Sequence, residues 1–161
     1  MLFLQNILED GLFAAMAAIG FSSISNTPRR TYIFCALAAA AGHAVRFVLM
    51  SEYVGMNIIL ASTLAAFVVG LLSVLLAPVM KCPAEVCLFP ALLPMIPGMY
   101  AYHTIEALIL CLGNTGEQLF SHYMYLLAYN GLTCAFIVLG LAIGATIPIF
   151  MLKKISFQAT R

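Results

Sequence analysis

Thr31-Tyr32-Ile33-Phe34-Cys35-Ala36-Leu37-Ala38-Ala39-Ala40-Ala41-Gly42-His43-Ala44-Val45-Arg46 is apolar almost throughout, yet it carries an imidazole and a guanidinium toward its far end. Read as a helix that continues to Met50, it is long enough to cross a bilayer, and Arg46 then lies inside the hydrocarbon. A charge at that depth costs roughly 2.5–3.5 kcal/mol on insertion scales, so it pairs with another group or lines a polar cavity. His43 and Arg46 are three residues apart and share one helix face. Counted from Thr31 at 1.5 Å per residue, they lie about 18 and 22 Å into the membrane, slightly past the midplane. The alanine-glycine run before them makes a thin surface against which another backbone can pack closely.

The rest of the chain has the same character. Residues are 64% hydrophobic and 8% charged, against roughly 45–50% and about 25% in a soluble domain. Apolar stretches fall at about 3–24, 31–50, 56–79, 87–112 and 122–152, each reaching the ~20 residues that cross about 30 Å of hydrocarbon. Continuous runs of this length predict an all-α integral membrane protein of five transmembrane helices, because a helix satisfies its own backbone in lipid. A barrel would show shorter, alternating segments. No low-complexity linker divides the chain, so 1–161 reads as a single transmembrane domain. Glu9 and Asp10 stand where a cleaved leader would be basic, and the first stretch therefore reads as a retained span.

Of seven Lys/Arg residues, all but Arg46 lie outside the spans. Arg29, Arg30, Lys81, Lys153, Lys154 and Arg161 follow spans one, three and five, whereas the opposite loops carry Glu52 and Glu117 and no Lys or Arg. Positive residues mark the cytoplasmic side, which predicts an N-terminus outside and a C-terminus in the cytoplasm.

Span four contains Phe89-Pro90-Ala91-Leu92-Leu93-Pro94-Met95-Ile96-Pro97-Gly98-Met99-Tyr100-Ala101-Tyr102-His103. Each proline deletes a backbone donor and crowds the carbonyl four residues back, so the span is expected to break near Pro97 and Gly98. Broken backbone at membrane depth survives only where protein or a water-filled cavity surrounds it. Transporters place binding sites at such breaks, with half-helix N-termini aimed at anions. Span five holds Gly140 and Gly144 in a small-xxx-small pattern that suits helix packing, with Asn130 and Thr133 one turn apart upstream. Asp10, Glu9 and Glu106 are the carboxylates available to counter Arg46 or to carry a coupling proton.

Five cysteines, Cys35, Cys82, Cys87, Cys111 and Cys134, are an odd number and lie mostly in apolar runs, where they act as small hydrophobes. Cys82 and Cys87 share a short loop, but no second pair or His cluster completes a zinc site, so no metal is expected. No His-Glu-x-x-His, Gly-x-Ser-x-Gly or phosphate-cradling glycine loop occurs, and an enzyme is not expected either. Basic residues never run beyond a dipeptide, which gives no reason to expect nucleic acid.

Asp10, Ala14-Ala15, Gly20-Phe21, Asn26, Pro28, Gly42-His43-x-x-Arg46, Pro94-x-x-Pro97-Gly98-x-x-Ala101-Tyr102 and Asn130-x-x-Thr133 through Gly144 and Pro148 follow one another in an order and spacing that resemble the smaller, C-terminal type of module in the threonine/serine exporter family. The resemblance covers nearly the whole chain. His103 and Glu106 are not part of it. It implies export of small carboxylate-bearing metabolites across the bacterial inner membrane, without a cofactor. Fused members look like threonine and serine exporters, and a split two-subunit type is associated with succinate. A short chain like this one resembles the split type, and the larger subunit is then its expected partner, beside membrane lipid; a homo-oligomer remains open.

Within that frame His43 and Arg46 are candidates to hold a substrate carboxylate, Pro97 and Gly98 to offer backbone dipoles, and Tyr102, Asn130 and Thr133 to add hydrogen bonds. Asp10 and His43 are the candidates for proton coupling. The alternative is a structural subunit that stabilises a substrate-binding partner.

Overall fold

The computed structural model describes residues 2–114 and 116–152, and all their regular structure is helical. Six α-helices follow one another: α1 (Leu2–Ile24), α2 (Tyr32–Met50), α3 (Ile58–Met80), α4 (Ala84–Leu92), α5 (Gly98–Gly113) and α6 (Glu117–Met151). Among the described residues four helical segments are long and apolar enough to span a membrane, Phe3–Ile24, Arg29–Met50, Ile58–Met80 and Glu117–Met151. A fifth arises when Ala84–Met95 and Gly98–Gly113 are counted as one interrupted span. The protein is a multi-pass membrane protein. Lys153, Lys154 and Arg161 lie outside the described residues.

Each connection has a local cause. Asn26 adopts φ 56° after α1, and Thr31 closes the turn by donating its hydroxyl to the Pro28 carbonyl at 2.8 Å. Between α2 and α3 the chain doubles back through a tight turn in which the Gly55 and Met56 amides reach the Ser51 and Leu49 carbonyls at 2.7 and 3.0 Å. Gly55 has φ 64°, a left-handed conformation that glycine adopts without steric cost. Asn57 then caps α3, its side chain accepting the Ile59 amide at 2.9 Å.

The span that carries the prolines is broken. After α4 a single 3-10 turn covers Leu93–Met95, Pro97 stands at φ −78° and ψ 63°, and α5 starts at Gly98. The Gly98 amide turns back on the Ile96 carbonyl at 2.8 Å. Pro94 and Pro97 lack the donors that would continue an α-helical ladder through this stretch.

The chain divides into two compact units, residues 1–95 with 140–161, and residues 96–139. In the first, α2 packs against α1, α3 and α4. Its buried stripe is Cys35, Ala36, Ala38, Ala39, Gly42 and His43. Small residues let the backbones meet, as the alanine-glycine run predicts: a Cβ on Gly11 of α1 would lie 3.6 Å from the Ala40 carbonyl, and one on Gly42 would collide with Val69 of α3. Gly140 and Gly144 of α6 pack on Thr63 of α3, and Gly70 of α3 packs on the backbone of Ala145. The small-xxx-small pattern therefore serves packing within this chain. In the second unit Gly131 of α6 faces Thr104 of α5, where an added Cβ would lie 3.3 Å from the threonine methyl.

Candidate functional site

The contact of Gly11 with Ala40 brings the α1 backbone within reach of the α2 face that carries His43 and Arg46, three and six residues beyond Ala40. Asp10 precedes that glycine, and its short side chain meets His43: Oδ2 lies 3.1 Å from the imidazole Nδ1. Arg46, one turn along α2, places Nη2 at 3.4 Å from the same nitrogen and donates from Nη1 to the Met95 carbonyl at 3.5 Å. Met95 ends the 3-10 turn at the span break. In a continuous helix that carbonyl would take the amide four residues on. Here the break leaves it for the guanidinium.

His43 is buried, its side chain 7% exposed, while Asp10 stands at 37%. The two contacts on Nδ1 demand opposite things of it. Toward Asp10 it must donate, and toward Arg46 it must accept; one nitrogen does only one of these. A bond to a carboxylate is charge-assisted and about twice as strong as a neutral one. We therefore place the proton on Nδ1, bonded to Asp10, which frees Arg46 Nη2 from the imidazole. His43 Nε2 is buried and has no hydrogen-bond partner among the described residues.

Beside this cluster opens a cavity of about 610 Å³ lined by Phe3, Asp10, Arg46, Phe47, Met50, Ser51, Glu52, Tyr53 and Ile58. Its walls are mainly apolar, with one guanidinium and two carboxylates among them. Phe3 lies tilted against Phe47 and edge-on to Tyr53, with ring centroids 5.7 and 5.6 Å apart, and all three line the cavity. Such a pocket has the make-up of a small-molecule site, mostly hydrophobic with a few convergent polar groups.

The first unit thus gathers Asp10, His43 and Arg46. Glu9, also weighed as a counter-ion, instead accepts from Gln5 at 3.0 Å. The other candidates belong to the second unit. Pro97 is buried and Gly98 exposed at the start of α5, and Tyr102 is 59% exposed. Asn130 donates to the Leu126 carbonyl of its own helix at 2.9 Å and lines a cavity of about 270 Å³ with His103, Glu106 and Tyr123. Thr133 is half-buried and does not line that cavity. Glu106 is paired with His103 at 3.0 Å. No group of His, Cys, Asp and Glu fit to hold a metal occurs among the described residues.

Sequence reading missed Glu52, Ser51 and the aromatic wall. Glu52 was visible only as a loop charge, because it lies in the turn after α2, where no helix register sets the direction of a side chain.

The family model described as Threonine/Serine exporter, ThrE, matches residues 10–151. The chain belongs to the threonine/serine exporter family. The matched stretch opens at Asp10 and takes in every candidate residue of this exporter-family chain except Glu9. A protein of Haemophilus influenzae described as uncharacterized is 34% identical over 108 residues, which is 67% of this chain and 36% of that relative. The match thus spans little more than a third of that relative's length. No solved structure matches.

Proposed function

We propose that this chain is the small transmembrane subunit of an inner-membrane exporter of small carboxylate metabolites, of the threonine/serine or succinate class, acting with a larger partner subunit. The observation that carries the reading is the Asp10–His43–Arg46 cluster, set within apolar spans beside the 610 Å³ cavity. Membership of an exporter family supplies the reaction class.

In this reading Arg46 is the anion-binding group. Its Nη1 is anchored on the Met95 carbonyl, and its Nη2 is left to meet a substrate carboxylate in the cavity. His43 orients the pair and, with Asp10, carries the coupling proton. Pro97 and Gly98 open α5, whose N-terminal end is the positive end of the helix dipole and suits an anion. Tyr102, Asn130 and Thr133 are the second unit's candidates to add hydrogen bonds to the substrate. The chain sits with its N-terminus outside and its C-terminus in the cytoplasm, an arrangement that suits an inverted mate starting inside.

Replacing Arg46 by Gln tests the proposal. Loss of a charged hydrogen bond is worth about 1.5–3 kcal/mol, or about ten- to a hundred-fold in affinity. Export by the variant is expected to fall to background while its level in the membrane is kept. Unchanged flux at equal abundance would remove Arg46 from the site.

The alternative, a structural subunit, draws on the second unit, where Tyr102 is exposed and Asn130 is bonded to its own helix. Under it, changes at both His43 and Arg46 leave flux intact as long as the larger subunit still co-purifies.

A further inference from the structure

The cavity in the first unit is not evenly charged. Arg46 is its one cationic group, and Asp10 and Glu52 are both carboxylates. Asp10 is engaged by the imidazole at 3.1 Å. Glu52 has no hydrogen bond or ion pair among the described residues, so it stands as the acceptor that the protein itself leaves unused. Its place at the mouth is held by the turn after α2. Ser51 ties its hydroxyl to the Val48 carbonyl at 2.6 Å, and the Gly55 amide returns to Ser51. Phe47, Met50 and Ile58 give the cavity apolar walls, and low-dielectric walls focus the field of the charges beside them.

We infer that Glu52 determines which carboxylates this cavity accepts: it receives an ammonium group on the substrate and rejects a second carboxylate. This rests on the reading above that the cavity holds the substrate. With Arg46 opposed by Asp10 and Glu52, a zwitterion leaves the local charge unchanged, whereas a dianion adds two negative charges to a site already carrying an excess of one. The carboxylate of an amino acid goes to Arg46 and its ammonium to Glu52. A dicarboxylate can satisfy Arg46 but then sets its other end against a like charge. At a partly screened site, removing such a repulsion is expected to change relative affinity by about ten-fold.

The probes are L-threonine and succinate, measured by equilibrium binding to the chain co-reconstituted with its larger subunit in lipid nanodiscs. The unaltered protein is expected to prefer threonine about ten-fold. Glu52→Gln should bring the two close to parity, Glu52→Asp should keep the preference, and Glu52→Lys should favour succinate. A gain of succinate binding is not something a folding defect produces. If Glu52→Gln and Glu52→Lys leave the ratio unchanged while Arg46→Gln still removes binding, the role of Glu52 is wrong and the cavity reading stands. If the unaltered protein prefers succinate, the inference also fails. If it binds neither probe, both readings fall together.

Discussion

His43 offers a single nitrogen to two neighbours whose needs conflict, and that conflict is the most informative feature at the level of individual side chains. Nδ1 donates to Asp10 at 3.1 Å or accepts from Arg46 at 3.4 Å. The choice decides whether the guanidinium is tied to the imidazole or turned to the cavity. Asp10→Leu removes the acceptor and leaves Arg46 Nη2 as the neighbour of that nitrogen, so Nδ1 should lose its proton and Nε2 gain it. The ¹⁵N shifts of the labelled imidazole report this directly, and an unchanged Nδ1–H signal in the variant would refute the assignment. The spacing of His43 and Arg46 on one face was legible from their numbers alone, three apart. Their partner was not. Glu9 and Asp10 are adjacent and about 100° apart around α1, and only the face on which α1 meets α2 selects Asp10.

Two kinds of helix feature were predicted from residue type, and each has a different physical basis. The broken span follows from missing backbone donors at Pro94 and Pro97, a purely local property. Restoring both donors with Pro94→Ala and Pro97→Ala should close the ladder and engage the Met95 carbonyl within the helix. Arg46 then loses its anchor. Circular dichroism should show a small rise in helicity, and binding of the carboxylate probes should weaken; full binding at raised helicity would sever the break from the site. The close helix contacts rest instead on the absence of a Cβ. At Gly70 and Gly144 an added methyl would meet the backbones of Ala145 and Thr63 rather than a flexible side chain. Overpacking of this kind costs about 1–3 kcal/mol. Gly20, with nothing within 4 Å of such a methyl, is the control, and its alanine variant should match or exceed the parent, since alanine is the better helix former by about 1 kcal/mol. Thermal unfolding in detergent ranks the three, and equal stabilities would contradict the packing described.

For the whole molecule, lipid imposes the plan. Alkaline phosphatase fused at the turn 51–55 should be active outside the cell, and the same reporter at Lys81 should be silent; the reverse pattern would invert the proposed orientation. α6 runs for 35 residues, about 52 Å at 1.5 Å per residue, well beyond a hydrocarbon core of about 30 Å. It must tilt, or project beyond the core.

The helical class, the series of long apolar helices and the interruption at the prolines were all legible in the sequence alone. Hydrocarbon acts on each segment separately, excluding charge and demanding internal backbone bonds whatever the neighbours are. The company kept by Arg46 was decided only by tertiary structure. Asp10 on α1, Met95 in the break and Glu52 beyond the end of α2 reach the same cluster or cavity through the register of Gly11 on Ala40 and the turn at Gly55. Contacts between distant segments depend on which faces meet, and that is settled by the fit of backbones and side chains across an interface, which no single stretch of sequence contains.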